Sequence, residues 1–327
     1  MFDLLVKYVI KRIIILIPVL IGISVILFIV TRLMPGDVIR MMVDPGLRPD
    51  LYQIQYDIIY QKLGYDRTIF EQYFLWITNM FQGDFGWSTY FNRPAIECIG
   101  EPLKNTMILN ACIIVCYLAI ALPVGIRMAV KRGSVFDNGW QVFSLATFSI
   151  PSFFLGLSLI FIFSITLGWL PIGGMPNASI LEGRDLFVAW ARTLVLPVTT
   201  LTIISLAGGI RYVRNAMIDA LSQDYIRTAR SKGLSEKIVI YSHAFRNALI
   251  PISTIVVGVV FSLFGGSAIT ESVFVYHGIG RLIVQAAIAR DSAMVVSMNL
   301  IFATVNVTSI LVADIVYGLV DPRIKLK

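Results

Sequence analysis

The chain has 327 residues, of which 57% are hydrophobic and only 14% charged, with a mean hydropathy of +0.79. A soluble domain would carry roughly 25% charged residues, so a water-soluble enzyme or a soluble binding module is excluded and an integral membrane protein is indicated. The net charge of +7 does not point to nucleic acid, because in a polytopic membrane protein Lys and Arg mark the cytoplasmic side.

Six apolar stretches reach the length of about 20 residues that a spanning helix needs: 13–31, 106–129, 140–167, 193–210, 250–270 and 293–319. The first follows Lys7, Lys11 and Arg12 and ends in Arg32-Leu33-Met34-Pro35-Gly36-Asp37 without a small-x-small cleavage site. It is read as a retained signal anchor. Segment 32–105 is too long for a plain loop. Two amphipathic helices are predicted in it, over 52–63 and 68–81, separated by Leu63-Gly64-Tyr65-Asp66 and closed by Gly83-Asp84-Phe85-Gly86-Trp87. Its aromatic residues, among them Tyr73, Phe74, Trp76, Phe81 and Trp87, suit either the membrane interface or a protein partner.

In the second span Cys112 and Cys116 stand four residues apart and share a helix face. No His or carboxylate lies near them on that span, so the two are read as small buried hydrophobes and no metal site is expected; nothing requires a disulfide among Cys98, Cys112 and Cys116. Pro18, Pro123, Pro151 and Pro197, with Gly208-Gly209 and Gly265-Gly266, punctuate the spans. Such breakers survive in a bilayer where neighbouring helices re-satisfy the freed backbone, in ordinary kinks as well as in gates. Asp314 is the one ionisable residue placed well inside a span, toward the inner end of the last. The absence of a chain of intramembrane carboxylates or internal repeats argues against a secondary carrier.

Residues 211–250 form a basic, helical island between two spans. One helix is predicted to carry Val213, Ala216, Met217, Ala220, Leu221, Tyr225 and Ala229 on its apolar face and to stop at Gly233. Ser235 is expected to cap a second helix with Glu236 in its first turn. Arg211, Arg214, Gln223, Arg227, Arg230 and Lys232 fill the other faces. A solvated basic face near anionic lipid is one reading; a docking surface for a cytoplasmic partner is the other. Placing the N-terminus inside puts Lys7, Lys11, Arg12, Arg127, Lys131, Arg132, this island, Arg323, Lys325 and Lys327 in the cytoplasm, more than half of the 27 basic residues. Both termini are therefore expected inside.

Asp224-Tyr225-Ile226-Arg227-Thr228-Ala229-Arg230-Ser231-Lys232-Gly233-Leu234-Ser235, with Arg246-Asn247-Ala248-Leu249-Ile250-Pro251, resembles the coupling-loop signature of the oligopeptide/dipeptide/nickel permease family of ABC importers. Further resemblance lies in Met34-Pro35-Gly36-Asp37, Gly83-Asp84-Phe85-Gly86, Asn105-Thr106, Ser149-Ile150-Pro151-Ser152-Phe153, Gly168-Trp169-Leu170-Pro171, Glu271-Ser272-Val273-Phe274 and Asp321-Pro322-Arg323, so it covers nearly the whole chain. In length and sequence it is similar to the first-subunit type of a heterodimeric permease pair. Arg227-Thr228-Ala229 stands where the wider importer motif has Glu-Ala-Ala, and Tyr276-His277-Gly278 where this branch commonly has Trp-Pro-Gly.

The resemblance implies an all-α, polytopic protein of six transmembrane helices with the type I ABC importer permease fold. Its parts would be 1–31 (cytoplasmic N-terminus and first helix), 32–105 (extracytoplasmic segment) and 106–327 (a five-helix core containing the loop 211–250). It implies an ATPase-coupling site made by Asp224, Tyr225, Arg227, Thr228, Ala229, Lys232, Gly233 and Ser235. It implies as partners a second homologous permease, two cytoplasmic ATP-binding subunits, an extracytoplasmic substrate-binding protein and the lipid bilayer, with no nucleic acid. The chain lacks the G-x-x-x-x-G-K-[ST] loop that cradles nucleotide phosphates, so hydrolysis is assigned to another polypeptide. No catalytic residue, cofactor or metal is expected: His243 and His277 fall on opposite sides of the membrane, and no acid/base cluster supports a membrane-anchored enzyme. Oligopeptides or dipeptides are the implied cargo, with nickel chelates or glutathione as the alternative.

Overall fold

The computed structural model describes residues 2–33, 38–177 and 179–320. The motifs Met34-Pro35-Gly36-Asp37 and Asp321-Pro322-Arg323, and the side chain of Asp314, lie outside the described residues. In chain order the helices are α1 (Phe2–Leu33), α2 (Val38–Met42), α3 (Pro49–Lys62), α4 (Ile69–Phe81), α5 (Ala95–Val130), α6 (Val135–Ser149), α7 (Ser152–Leu159, extended by a π-helical stretch Ile160–Thr166), α8 (Gly183–Leu221), α9 (Asp224–Ser231), α10 (Glu236–Ile238), α11 (Arg246–Phe261), α12 (Ala268–Val273), α13 (Ile279–Ile288) and α14 (Ser292–Val320).

 A second π-helical stretch, Val239–Phe245, joins α10 to α11, so α7 as Ser152–Leu159 and α11 as Arg246–Phe261 are each the regular part of a longer helical run. A two-residue ladder, β1 (Trp87–Ser88) antiparallel to β2 (Arg93–Pro94), is the only strand pairing among the described residues.

Four helical stretches are long and apolar enough to cross a bilayer unbroken: Ile10–Leu33, Ala95–Val130, Gly183–Leu221 and Ser292–Ala313. The other two expected spans are bent pairs. The third bends by 102° between Val135–Ser149 and Ser152–Thr166, and the fifth by 52° between Glu236–Leu249 and Pro251–Phe261. Pro151 and Pro251 stand at these bends, whereas α1, α5 and α8 run through Pro18, Pro123 and Pro197. The fifth span also ends earlier than its predicted limit at 270. A 3-10 turn, Ser262–Phe264, follows it, and then the separate α12. Gly208-Gly209 makes no break at all: it lies inside α8.

The reason is packing. An added Cβ at Gly209 would collide with the Tyr117 ring, and one at Gly125 would stand 2.7 Å from the side chain of Val213. These two glycines let α5 and α8, the longest of the described helices, approach closely along their length. α14 packs against both α1 and α11.

Where the fifth span breaks, side chains of α5 bond the irregular backbone that follows it. Asn110 Nδ2 donates to the carbonyls of Ser262 (2.8 Å) and Gly265 (2.9 Å), and Asn105 Nδ2 donates to that of His277 (2.9 Å). Glu271 is fully buried and accepts from Thr106 Oγ1 (3.0 Å) and the Arg281 N–H (2.9 Å). Thr106 Oγ1 in turn accepts from the Ile279 N–H at 2.8 Å. Burial pushes the Glu271 carboxyl up from its ordinary range, opposed by the donors aimed at it. The motif Asn105-Thr106 and the motif Glu271-Ser272-Val273-Phe274, far apart in sequence, thus form one knot.

Both helices predicted in 32–105 are present. α4 begins at a complete capping box, in which Thr68 Oγ1 accepts from the Glu71 N–H and Glu71 Oε2 accepts from the Thr68 N–H at 2.9 Å. Ser24 Oγ lies 2.7 Å from Tyr73 Oη, tying α1 to α4. The hairpin is held by buried Asp291, whose carboxylate accepts from Ser88 Oγ, from the Tyr90 N–H (3.2 Å) and from the Met294 N–H (3.1 Å) in the first turn of α14. Cys112 is half-buried and Cys116 exposed, so the reading of this pair as small buried hydrophobes fails for Cys116; Cys98 is buried.

Candidate coupling site

The basic island is built differently from its predicted two helices. α8 does not run on to Gly233; it ends at Leu221, and Gln223 takes extended backbone angles (φ −75°, ψ 152°) before α9 starts. Ser222 Oγ and Gln223 Nε2 both donate to the Asp219 carbonyl, at 2.8 and 3.2 Å. These two polar side chains compete with the helical ladder at its last turn and end it. The two-residue break also shifts the phase of the apolar stripe. Tyr225, predicted on the buried face, is 39% exposed, and Ile226 is the fully buried residue in its place.

Ile226 and Ala229, three residues apart, pin α9 to a core that also contains Ile126 and Ala129 from the end of α5, Val213, Met217 and Ala220 from α8, and Ala248 and Ile252 from α11. Full burial of a side chain such as Ile226 contributes about 1.5–3 kcal/mol. Three spans therefore meet beneath one eight-residue helix. Its other face carries Asp224, Arg227 and Thr228, all exposed. The Arg227–Asp224 pair, 3.6 Å apart with side chains 80% and 95% exposed, adds little stability.

Gly233 has φ +77° and ends α9, its N–H donating to the Arg230 carbonyl at 2.9 Å. An added Cβ there meets nothing within 4 Å, so the glycine answers to backbone conformation and not to crowding. Arg230 reaches across the turn to Glu236, Nε to Oε1 at 2.8 Å and Nη2 to Oε2 at 3.3 Å. Ser235 occupies the N-cap position of α10, as predicted, but its side chain makes no capping hydrogen bond. Lys232 and Ser235 are both exposed. The predicted residues Asp224, Tyr225, Arg227, Thr228, Lys232, Gly233 and Ser235 thus form one outward surface, and Ala229 is part of the core beneath it. Beside it lies a cleft of about 610 Å³ lined by Tyr212, Asn215, Asp219, Gln223, Tyr225 and Asn247.

A second feature was missed at the level of sequence. Arg214, expected on a polar face of the island, is turned inward and grips buried Asp137 with both arms, Nε to Oδ1 at 2.6 Å and Nη2 to Oδ2 at 2.8 Å. Asp137 also accepts from the Gly133 N–H at 2.9 Å. The pair joins the first turn of α6 to α8, one helical stretch before α9. The signal available was Ser134-Val135-Phe136-Asp137, a cap followed three residues later by an acid.

Residues 121–326 match the family described as the binding-protein-dependent transport system inner membrane component. Residues 5–122 match the N-terminal part described for the membrane components of such systems. The chain belongs to this permease family. The permease is 37% identical over 319 residues to the oligopeptide transport system permease protein AppB of Bacillus subtilis (97% of this chain, 99% of that protein). It is 34% identical to the di/tripeptide transport system permease protein DppB of Pseudomonas aeruginosa (98% of each). It is also 34% identical to the glutathione transport system permease protein GsiC of Escherichia coli (98% and 99%). A chain of the MetNI methionine ABC transporter in an inward-facing conformation has the same fold, with a TM-score of 0.53 at 18% identity over 69% of this chain and 97% of that one. The permease is thus the membrane-spanning subunit of an ABC importer, with the type I fold.

Proposed function

We propose that the permease forms half of the path by which oligopeptides or dipeptides enter a prokaryotic cell across its cytoplasmic membrane. A second homologous permease forms the other half, two ATP-binding subunits drive the pair, and an extracytoplasmic binding protein delivers the cargo. Both termini and α9 lie on the cytoplasmic side. Asp224, Tyr225, Arg227, Thr228, Lys232, Gly233 and Ser235 meet the ATP-binding subunit, and Ala229 seats the helix on its base.

The observation that carries this reading is the seating of α9. It is a short helix with an exposed charged face, pinned by Ile226 and Ala229 to a core shared by α5, α8 and α11. A push on α9 therefore reaches three membrane helices at once. The names of the peptide permeases that the chain resembles support the cargo; the similarity to the glutathione permease favours glutathione as the second reading.

The test is uptake of a labelled oligopeptide by the complete importer in proteoliposomes. Gly233→Ala and Gly233→Trp share the same backbone strain, and only the second adds bulk on the open side of the turn. Gly233→Trp, and charge reversal at Arg227 and Lys232, are expected to abolish uptake while the protein inserts normally and Gly233→Ala retains most of it. Equal uptake by all of them would remove α9 as the input. Uptake of labelled glutathione with none of peptide would transfer the cargo to the second reading.

A further inference from the structure

At the end of α5 opposite α9, a cavity of about 460 Å³ opens between α1, α4, the hairpin and the first turns of α14. Phe28, Leu75, Trp76, Met80, Ala293 and Val296 give it an apolar wall. Arg32, in the last turn of α1, reaches into this space. Its guanidinium carbon lies 4.0 Å from the centre of the Tyr65 ring and 5.1 Å from that of Phe28. Its Nη1 is buried without a hydrogen-bond partner.

A buried guanidinium N–H left unmade is unfavourable, and stacking on two rings does not replace the missing acceptor. Among the described residues no carboxylate forms an ion pair with Arg32. Asp84, at the edge of the cavity, already accepts from the Gly86 N–H at 2.9 Å. Lys62 lines the same space and adds a second positive charge. The site therefore asks for an anion attached to a long apolar body.

The surrounding surface says where such a molecule comes from. Ile26, Ile29, Val30 and Leu33 on α1 are exposed, and so are Phe70, Phe74 and Phe81, which share one face of α4 away from the cavity. An apolar helix flank that meets a helix with an aromatic stripe is the pattern of a membrane–water boundary. Phosphodiester groups sit at that level and acyl chains lie just below it. We propose that this cavity holds one membrane phospholipid, its phosphodiester accepting from Arg32 Nη1 and one acyl chain lying against Phe28, Leu75, Trp76 and Val296. The volume falls within the range of about 300–1,000 Å³ usual for small-molecule sites, and a guanidinium is the side chain best suited to a phosphate.

The test is native mass spectrometry of the complete importer, delipidated in detergent and titrated with dioleoylphosphatidylglycerol, with dioleoylglycerol, and with inorganic phosphate. The wild-type complex is expected to retain phosphatidylglycerol at least about tenfold more tightly than dioleoylglycerol, the scale of one hydrogen bond to a charged group. Arg32→Gln is expected to lose one bound phosphatidylglycerol per copy of this chain. Equal retention of the two lipids by the wild type, which requires no variant to fold, would overturn the proposal. So would unchanged binding in Arg32→Gln, or complete displacement of lipid by inorganic phosphate, which would assign Arg32 to a free anion.

Discussion

Two buried carboxylates show how much a single residue decides here. Asp137 is shielded from solvent and neutralised by a two-armed contact with Arg214. Removing one member of such a pair leaves an uncompensated charge, at about 3–5 kcal/mol, whereas replacing both by apolar groups is far milder. Asp137→Ala is therefore expected to lower the thermal stability of the purified importer markedly. Asp137→Ala combined with Arg214→Met is expected to recover part of the loss; no recovery would mean that the pair is not the source of the effect. Glu271 differs in that its oxygens face N–H and O–H donors instead of a cation. In Glu271→Gln an amide NH₂ would confront either the Arg281 N–H or the Thr106 hydroxyl. The expected loss is about 1–3 kcal/mol, read as a lower unfolding temperature, and an unchanged temperature would show that the knot tolerates a neutral side chain.

At the scale of the element, sequence legibility depended on whether the signal was local. α4 and the end of α3 are legible almost to the residue because these boundaries are written in short-range chemistry, whereas α3 starts three residues before its expected first turn. Leu63-Gly64 closes one helix and the Thr68–Glu71 box opens the next. Gly233 was legible for the same reason: a left-handed position after a helical pattern is a glycine position. The break at Ser222–Gln223 was not. Tyr225 and Ile226 are adjacent apolar residues, and only the break before them, where Gln223 turns extended, chooses which one faces the core. That choice has a consequence. Ile226→Ala removes the main anchor of α9 and leaves its exposed charges untouched, so it is expected to reduce peptide uptake per ATP hydrolysed by about 5–150-fold, the range of typical coupling energies, while ATPase subunits still bind. A proportional fall in uptake and hydrolysis would instead indicate lost assembly.

At the scale of the whole molecule, the two ends of α5 carry different business. One end gathers α9 and the Asp137–Arg214 pair; the other gathers the hairpin, α13 and the start of α14 around Ala95, Cys98 and Ile99. The proposed sidedness is open to a direct measurement. In a background lacking Cys98, Cys112 and Cys116, Gln61→Cys in α3 is expected to react with a membrane-impermeant maleimide in intact cells. Ser235→Cys is expected to react only after permeabilisation. The reverse pattern would invert the orientation drawn from the distribution of Lys and Arg.

The sequence by itself determined the membrane class, the six apolar segments, the helices of the segment 32–105, the glycine stop and the family resemblance. Each of these rests on composition, or on chemistry spanning a few consecutive residues. The tertiary structure alone decided that two spans are bent pairs, and that Gly125 and Gly209 serve close packing. It alone turned Arg214 inward and joined Asn105 and Thr106 to the loop around Glu271. These depend on which helices become neighbours and on where freed backbone groups find partners, and such pairings join residues tens to hundreds of positions apart. The basic island reads as a docking surface in the sequence; its seat on three membrane helices is visible only in the fold.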